Sequence, residues 1–465
     1  MKNNINIGYL SFISFVAALG GFLFGYDTAV ISGTISQVSR QFALDAINQG
    51  WYVGCALLGS IGGVTVAGVL GDRLGRKNTM ICSAILFSVS AIGCALCATF
   101  DQLVVYRIIG GAGIGVASII CPLYISELAA AEYRGRLVSL YQLAVTVGFI
   151  GAYLFNYLLL RYSQEAVPSD SLWSLVFVSE VWRGMLGLEA LPAVLFFFVI
   201  FLIPESPRWL IAHGLPERGR KVISRVFASE NAVKAEYDAV RESLRSTASE
   251  KSDWRLILKP RMLRAVLIGS AIAILGQFMG VNAVLYYGPT IFEDAGLSAG
   301  DSLFYQIMVG TVNTLTTVAA LFLIDKIGRK QLVYWGVSGM IVSLILIAGY
   351  FTYGASIGLS SIWLLVFFLI YIMCCAGSIC AVVFVLLSEM YPTKIRAIAM
   401  SVAGLALWIG TYLVGQLTPW LLQTLLPAGT FILFAVMCVP YMLIMWKLVP
   451  DTTGKSLEEI ERFWE

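Results

Sequence analysis

The chain is poor in charge and has almost no histidine. Charged residues make up 13% of its 465 residues and hydrophobic residues 58%, and its mean hydropathy is +0.83. A soluble domain carries about 25% charge, so this composition predicts a membrane protein. The only histidine is His213. Without a second imidazole, a histidine-rich metal site and a histidine-based catalytic triad are excluded, and we expect no enzyme activity.

Cysteine is present nine times, but its positions do not predict a disulfide framework. Every cysteine falls in an apolar stretch, where cysteine usually acts as a small packing residue. Cys94 and Cys97 have the spacing of a metal site. No second pair and no nearby histidine completes it, so we favour packing and expect no metal site.

Long hydrophobic stretches dominate the rest of the chain. Twelve can be counted, each of roughly 20 residues and therefore long enough to cross about 30 Å of hydrocarbon. Backbone groups in lipid must be satisfied within the segment, so each stretch is predicted to be a helix. The predicted spans are 9–32, 51–70, 78–98, 104–126, 138–160, 183–203, 264–288, 303–324, 331–352, 362–387, 397–419 and 429–449.

The distribution of positive charge predicts the orientation. With both termini in the cytoplasm, nearly all of the 31 Lys and Arg fall in cytoplasmic loops. The exceptions are Arg40, Arg161 and Arg183 outside and Arg107 within the membrane. Positive loops stay inside, so we expect a multi-pass protein of the cell inner membrane with both termini cytoplasmic.

Two charged motifs occur twice. Asp72–Lys77, with the sequence DRLGRK, returns as Asp325–Lys330, DKIGRK. Ser126-Glu127 followed by Arg134 returns as Ser388-Glu389 followed by Arg396. Repeats at matching positions of an apolar chain indicate an internally duplicated transporter. We predict an all-α membrane protein of twelve transmembrane helices in two pseudo-symmetric six-helix bundles, 1–204 and 263–465.

The segment between the bundles, 205–262, is polar and has apolar residues at helical spacing. It predicts short amphipathic helices at the cytoplasmic surface, which tether and latch the two halves. A regulatory or lipid-binding role is the alternative, because the segment ends with basic residues. The apolar groups are Val222, Val226 and Phe227, then Val233, Tyr237, Val240 and Leu244, and the basic end is Lys259, Arg261 and Arg264.

Further motifs resemble those of one family. They are RIIGGAGIG at Arg107–Gly115, PESPRWL at Pro204–Leu210, PDTTGKSLEE at Pro450–Glu459, and QFMGVN at Gln277–Asn282 followed by Tyr286. With the repeated loops they resemble the sugar porter family of the major facilitator superfamily almost from end to end. Within this family the chain resembles the bacterial pentose–proton and hexose–proton symporters. The glycines at 110–115 follow no strand, so they indicate close helix packing and no dinucleotide site.

Three ionisable residues are predicted inside the membrane: Asp27, Arg107 and Glu189. A charge there costs roughly 2.5–3.5 kcal/mol unless it is paired or hydrated. All three lie at a similar depth, within about 5–9 Å of the outer boundary, which permits an Asp27–Arg107 pair with Glu189 nearby. The resemblance implies that the pair couples transport to protons. The alternative is a buried ion pair that only sets helix packing.

The repeated charges form a second candidate site. Arginine and carboxylate groups at helix ends can pair between helices and close the inner face of a transporter. The resemblance implies a cytoplasmic gate network of Arg76, Glu127, Arg134 and Glu205 in the first half and Arg329, Glu389 and Arg396 in the second. The alternative is that these residues are only topology signals with solvated partners.

A sugar site needs side-chain amides for the hydroxyl groups and an aromatic ring for the C–H face. The resemblance implies that the site contains Gln142, Gln277, Asn282, Asn313, Tyr286, Phe384 and Trp408. Gly276, Gly280 and Gly288 with Pro289 would let the seventh helix unwind and turn Gln277 and Asn282 inward. The chain departs from the family pattern at Phe149, at Gly276, at Cys380–Phe384 and at Leu407, so the sugar itself is not predicted.

The predicted function is therefore proton-coupled symport of a monosaccharide or related polyol by alternating access. The alternatives are an uncoupled sugar facilitator and, in a different class, a sugar sensor that does not transport. Sensors on this scaffold carry long cytoplasmic tails, whereas only a short tail follows Pro450. We expect no cofactor apart from the proton as coupling ion. The expected partners are a small sugar or polyol, protons and the lipid bilayer, without nucleic acid, and we expect a monomer.

Overall fold

The computed structural model describes residues 5–249, 259–354, 356–392 and 395–450, and these are almost entirely helical. The described part contains the predicted number of segments long and apolar enough to cross a membrane, which confirms the fold class. The twelve spans are Ile7–Gly33, Ala46–Leu74, Arg76–Leu96, Phe100–Leu128, Glu132–Glu165, Val181–Ile200, Pro260–Asp294, Ala299–Ile324, Arg329–Tyr353, Ser361–Met390, Ile398–Thr424 and Leu426–Lys447.

Several spans are longer than the hydrophobic stretches predicted. The second runs from Ala46 to Leu74 and the fifth from Glu132 to Glu165. Both continue into polar residues that hydropathy does not count, because a helix satisfies its own backbone groups on either side of the hydrocarbon boundary. The motif Pro450–Glu459 lies outside the described residues except for Pro450.

Three spans consist of two helices each. The sixth is divided into Val181–Gly187 and Ala190–Ile200, the seventh into Pro260–Phe278 and Val281–Asp294, and the tenth into Ser361–Gly377 and Ile379–Met390. The break in the seventh span falls at Gly280, which has a left-handed φ of 92° that glycine adopts readily.

The predicted unwinding of the seventh span is therefore confined to one point. The helix Val281–Asp294 continues through Gly288 and Pro289. Gly288 serves a different purpose, since a Cβ atom there would lie 2.1 Å from Oε1 of the buried Gln306. It allows the eighth span to approach the seventh closely.

The chain forms two compact units, which are described separately. Unit 1 contains the described residues of Met1–Val30, Leu58–Ala152 and Pro168–Lys251, and unit 2 those of Ile31–Leu57, Tyr153–Val167 and Ser252–Glu465. The limits 1–204, 205–262 and 263–465 stay a prediction about domains.

Glycine contacts hold the spans of unit 1 close together. A Cβ atom at Gly59 would lie 2.2 Å from the carbonyl oxygen of Ile108, and one at Gly115 would lie 2.2 Å from that of Ser60. The second and fourth spans thus touch backbone to backbone. This confirms that the glycine run at 110–115 serves close helix packing.

The segment after the sixth span forms three helices, Pro207–Ala212, Pro216–Val226 and Glu230–Ser249. These helices belong to unit 1, and their apolar faces pack against its first span and against Ala130, just after its fourth span, in a cluster of Leu10, Ala130, Ile223, Val226, Phe227 and Val233. The backbone N–H of Asn6 also donates to the carbonyl of Val226 at 2.8 Å. Protein therefore covers these apolar faces, whereas the basic residues Lys259, Arg261 and Arg264 are exposed.

Polar contacts join the early residues of unit 2 to its later spans. The hydroxyl of Ser36 donates to Oε2 of Glu293 at 2.9 Å, and Nε2 of Gln416 donates to the carbonyl of Ile47 at 3.0 Å. Gly50 lies so close to the eleventh span that a Cβ atom would be 2.0 Å from the carbonyl oxygen of Gln416.

Candidate functional site

An ion pair lies in the interior of unit 1. Nη1 of Arg107, from the fourth span, donates to Oδ1 of Asp27, from the first span, at 2.5 Å. Asp27 is 1% exposed and Arg107 is 2% exposed, so both charges are removed from water and from lipid. Gly110, one turn after Arg107, makes room, since a Cβ atom there would lie 2.4 Å from Oγ of Ser90 on the third span.

Glu189 is the third member of this acid site. It lies between the two helices of the sixth span, is 2% exposed, and interacts electrostatically with both Asp27 and Arg107. The site thus combines two carboxyl groups with one guanidinium group. A buried cluster avoids net charge, so this set is neutral when it holds one proton. A set of this composition is able to hold one exchangeable proton.

A second charged site surrounds Arg76 at the start of the third span. Nε of Arg76 donates to Oε2 of Glu127 and Nη2 to Oε1, both at 3.0 Å. Nη1 donates to Asp72 Oδ1 at 3.0 Å. The Ser206 hydroxyl donates to Glu127 Oε2 at 2.5 Å. This bidentate, part-buried pair connects the third and fourth spans to the start of the linker helices.

Glu205, which follows the sixth span in the chain, caps the N-terminus of the third span. Its carboxylate accepts backbone N–H groups of Arg76 at 2.8 Å, Lys77 at 3.1 Å and Ser206 at 2.8 Å. Burial raises the pKa of the Glu205 carboxyl above its ordinary value, although the N–H groups oppose this by stabilising the ionised form. The carboxylate satisfies donors that a helix start leaves without partners.

Unit 2 contains the matching residues. Nη2 of Arg329 donates to Oε1 of Glu389 at 2.9 Å, as Arg76 donates to Glu127 in unit 1. Arg396 donates to the carbonyl of Tyr391 at 3.2 Å and 3.3 Å, and Arg134 donates to that of Ser126 at 3.0 Å. Arg134 and Arg396 thus each bind a backbone carbonyl near the end of the preceding span. That the two sets meet and close a gate stays a prediction.

Two candidate sugar residues of unit 2 meet at the break in the seventh span. Nδ2 of Asn282 donates to Oε1 of Gln277 at 2.7 Å across Gly280. The hydroxyl of Thr411, in the eleventh span, lies 3.2 Å from the same oxygen and 3.0 Å from the carbonyl of Leu407. Gly410 permits this approach, since a Cβ atom there would lie 3.2 Å from Cβ of Gln277.

The other predicted sugar residues differ in exposure. Asn313 and Tyr286 are buried, Trp408 is half-buried and Phe384 is 51% exposed. These four belong to unit 2 with Gln277 and Asn282, whereas Gln142 is exposed in unit 1. The structure brings Gln277 and Asn282 into direct contact. That all seven residues bind a sugar stays a prediction.

Two contributing residues, Thr411 and Ser206, were absent from the sequence prediction. Thr411 lies one turn after Leu407, where the family pattern has an amide, so helical spacing could have indicated it. Ser206 carries no such signal beyond its place in the motif Pro204–Leu210.

Arg183, which the sequence predicts to lie outside the membrane, has partners close to it in the chain. It lies within the sixth span and is buried, donating to Glu180 at 2.6 Å and stacking over the ring of Trp182 at 4.4 Å. These partners satisfy the charge of Arg183, and its position outside the membrane stays a prediction.

Twelve helical spans with interrupted helices and a buried acid–arginine site define the class of the molecule, a multi-pass membrane transporter. The family model described as sugar (and other) transporter matches residues 13–464. The chain belongs to this family, the sugar porters of the major facilitator superfamily.

The comparisons with individual proteins agree with the family. The chain is 35% identical to the arabinose-proton symporter of Bacillus subtilis (strain 168), over 99% of this chain and 96% of the relative. It is 34% identical to the D-xylose-proton symporter of Escherichia coli (strain K12), over 100% of this chain and 98% of the relative. The inward open conformation of the xylose transporter XylE from E. coli superposes with a TM-score of 0.84 at 32% identity, covering 98% of this chain and 100% of that one.

Proposed function

We propose that this protein is a proton–sugar symporter of a bacterial inner membrane, with both termini in the cytoplasm. The observation that carries the proposal is the buried pair of Asp27 and Arg107 with Glu189 beside it. Two buried carboxyl groups around one guanidinium group leave one carboxyl group without its own counter-ion, which a packing role alone does not require. A coupled transporter needs such a set, because one of its members has to bind and release a proton in every cycle.

The coupling step follows from the charges of this site. While Nη1 of Arg107 holds Oδ1 of Asp27, the guanidinium group compensates the charge of the carboxylate. When movement of the first and fourth spans separates the pair, Asp27 loses its counter-ion and takes up a proton. A membrane potential contributes about 2.3 kcal/mol per charge per 100 mV, which supports about 50-fold accumulation for one proton per sugar.

The proposed substrate is a monosaccharide, either a pentose or a hexose, or a related polyol. Gln277 and Asn282 offer adjacent amides at the break in the seventh span, and Thr411 adds a hydroxyl. Adjacent amides suit a polyhydroxyl ligand, since each of them can both donate and accept. The names of the relatives, which specify arabinose and xylose, support the same class.

Uptake into proteoliposomes with an imposed pH gradient and membrane potential tests the proposal. Labelled pentoses, hexoses and inositol are offered to the wild type and to Asp27→Asn. Asp101→Asn is the matched control, because Asp101 is an exposed acid in the same span as Arg107. We expect the wild type and Asp101→Asn to accumulate one of these sugars until a protonophore is added, and Asp27→Asn to exchange that sugar without accumulating it.

Other outcomes contradict the proposal in distinguishable ways. Equilibration of sugar without accumulation by the wild type identifies a facilitator. Binding of sugar without any uptake above that of protein-free liposomes identifies a sensor. Accumulation by Asp27→Asn places the proton-coupling step on another residue, with Glu189 the next to be tested.

A further inference from the structure

Two thiols meet at the break in the tenth span. The sulfur atoms of Cys375 and Cys380 are 3.7 Å apart. Cys375 is buried at the end of the helix Ser361–Gly377, whereas Cys380 is exposed in the helix Ile379–Met390. One member of the pair therefore presents its side chain at the surface of the protein, and the other lies in the interior.

The break is what brings these thiols together. Residues five apart on a continuous helix point more than a third of a turn away from each other. Here Ser378 adopts φ −123° and ψ −85°, and its hydroxyl donates to the carbonyl of Cys374 at 2.6 Å. The change of direction at Ser378 rotates Cys380 back towards Cys375.

The same break contacts the candidate sugar residues. The hydroxyl of Tyr371, one turn before Cys375, donates at 2.7 Å to the carbonyl of Met279, at the break in the seventh span. Ile379 packs against Gly276, where a Cβ atom would lie 3.5 Å from its Cγ2. Gly276 immediately precedes Gln277. The conformation of the tenth span at Ser378 is thus linked by direct contacts to the part of the seventh span that carries Gln277 and Asn282.

We propose that Cys375 and Cys380 are an oxidisable dithiol that slows transport when it is converted to a disulfide. In the reaction each thiol loses its proton, the two sulfurs together lose two electrons, and an S–S bond forms. The oxidant is a peroxide, which is reduced to water, or a diazene such as diamide, which takes up two protons and two electrons to become a hydrazine. The bond joins the helices on both sides of Ser378, so the tenth span can no longer change its bend there.

Two readouts test the proposal on the full-length protein. The first is the mass of the peptide that contains both cysteines, after diamide treatment and alkylation of the remaining thiols. We expect this peptide to become lighter by two hydrogens and to recover its mass with dithiothreitol. This readout does not depend on what the protein transports.

The second readout is the initial rate of sugar uptake, and it rests on the proposed function. We expect diamide to slow uptake of the wild type by about fivefold or more, because conformational steps limit many such cycles, and dithiothreitol to restore it. Cys375→Ala and Cys380→Ala should resist diamide. Cys374→Ala is the matched control, because Cys374 is the half-buried neighbour of Cys375, and it should remain sensitive.

The failures of the two proposals are distinguishable. If the untreated protein transports sugar but diamide does not oxidise the peptide that contains Cys375 and Cys380, the dithiol proposal is wrong and symport stands. If this peptide is oxidised and uptake is unchanged, or if Cys374→Ala abolishes the sensitivity, the proposal that the disulfide slows transport is wrong. If the peptide is oxidised in a protein that takes up no sugar even when untreated, symport is wrong, whereas the oxidation of the dithiol is confirmed.

Discussion

Replacement of Gly75 by alanine tests how the third span is capped. Gly75 has φ 90° and ψ 162°, a backbone region that is essentially restricted to glycine. A Cβ atom there would lie 2.2 Å from Oε2 of Glu205, the carboxylate that accepts the backbone N–H groups of Arg76 and Lys77. Alanine therefore strains the backbone and also displaces the capping carboxylate.

The two effects can be estimated separately. Backbone strain of this kind costs about 1–3 kcal/mol. Loss of the two hydrogen bonds to Arg76 and Lys77 adds about 1–3 kcal/mol. We expect Gly75→Ala to lower the free energy of unfolding by about 2–6 kcal/mol in all. Fluorescence-detected thermal unfolding of the detergent-solubilised protein should record a clear fall in the melting temperature.

Two comparisons separate strain from displacement. Gly214 also has a positive φ, of 75°, but no heavy atom lies within 4 Å of a Cβ atom there, so Gly214→Ala measures strain alone. In a Glu205→Ala background, Gly75→Ala loses its steric partner and should cost less than it does in the wild type. Equal costs of Gly75→Ala in the two backgrounds would refute the capping role of Glu205.

Three further predictions concern the candidate sites. Thr411→Val should weaken sugar binding measured by calorimetry about two- to tenfold, because one hydrogen bond to Gln277 is lost, whereas Thr411→Ser should retain it. A Thr411→Ser variant as weak as Thr411→Val would show that the methyl group matters instead. Arg396→Ala should reduce the turnover rate more than it raises KM, since it changes the balance of conformations and not the pocket; a raised KM alone would contradict this. Glu189→Gln should keep sugar exchange but shift the pH dependence of accumulation, and an unchanged pH profile would remove Glu189 from the proton site.

Much of the fold could be predicted from the sequence because the bilayer restricts the choices. The thickness of the hydrocarbon and the need to satisfy every backbone group predict twelve helices from twelve apolar stretches. An acid such as Asp27 and a base such as Arg107 cannot lie buried in separate places, so their similar depth was enough to predict a pair. The repeated motifs likewise predicted that Arg329 and Glu389 would match Arg76 and Glu127.

The sequence by itself therefore determined the class of the protein, its number of spans and the two partners of its buried ion pair, Asp27 and Arg107. Only the tertiary structure decided which side chains meet where a helix is interrupted. Thr411 reaches Gln277 because Gly410 lets two spans approach. Glu205 caps a helix that begins more than a hundred residues earlier in the chain. Cys380 turns towards Cys375 because Ser378 leaves the helical conformation. Hydropathy and helical periodicity assume regular helices, and they carry no information about the direction of the chain after a break.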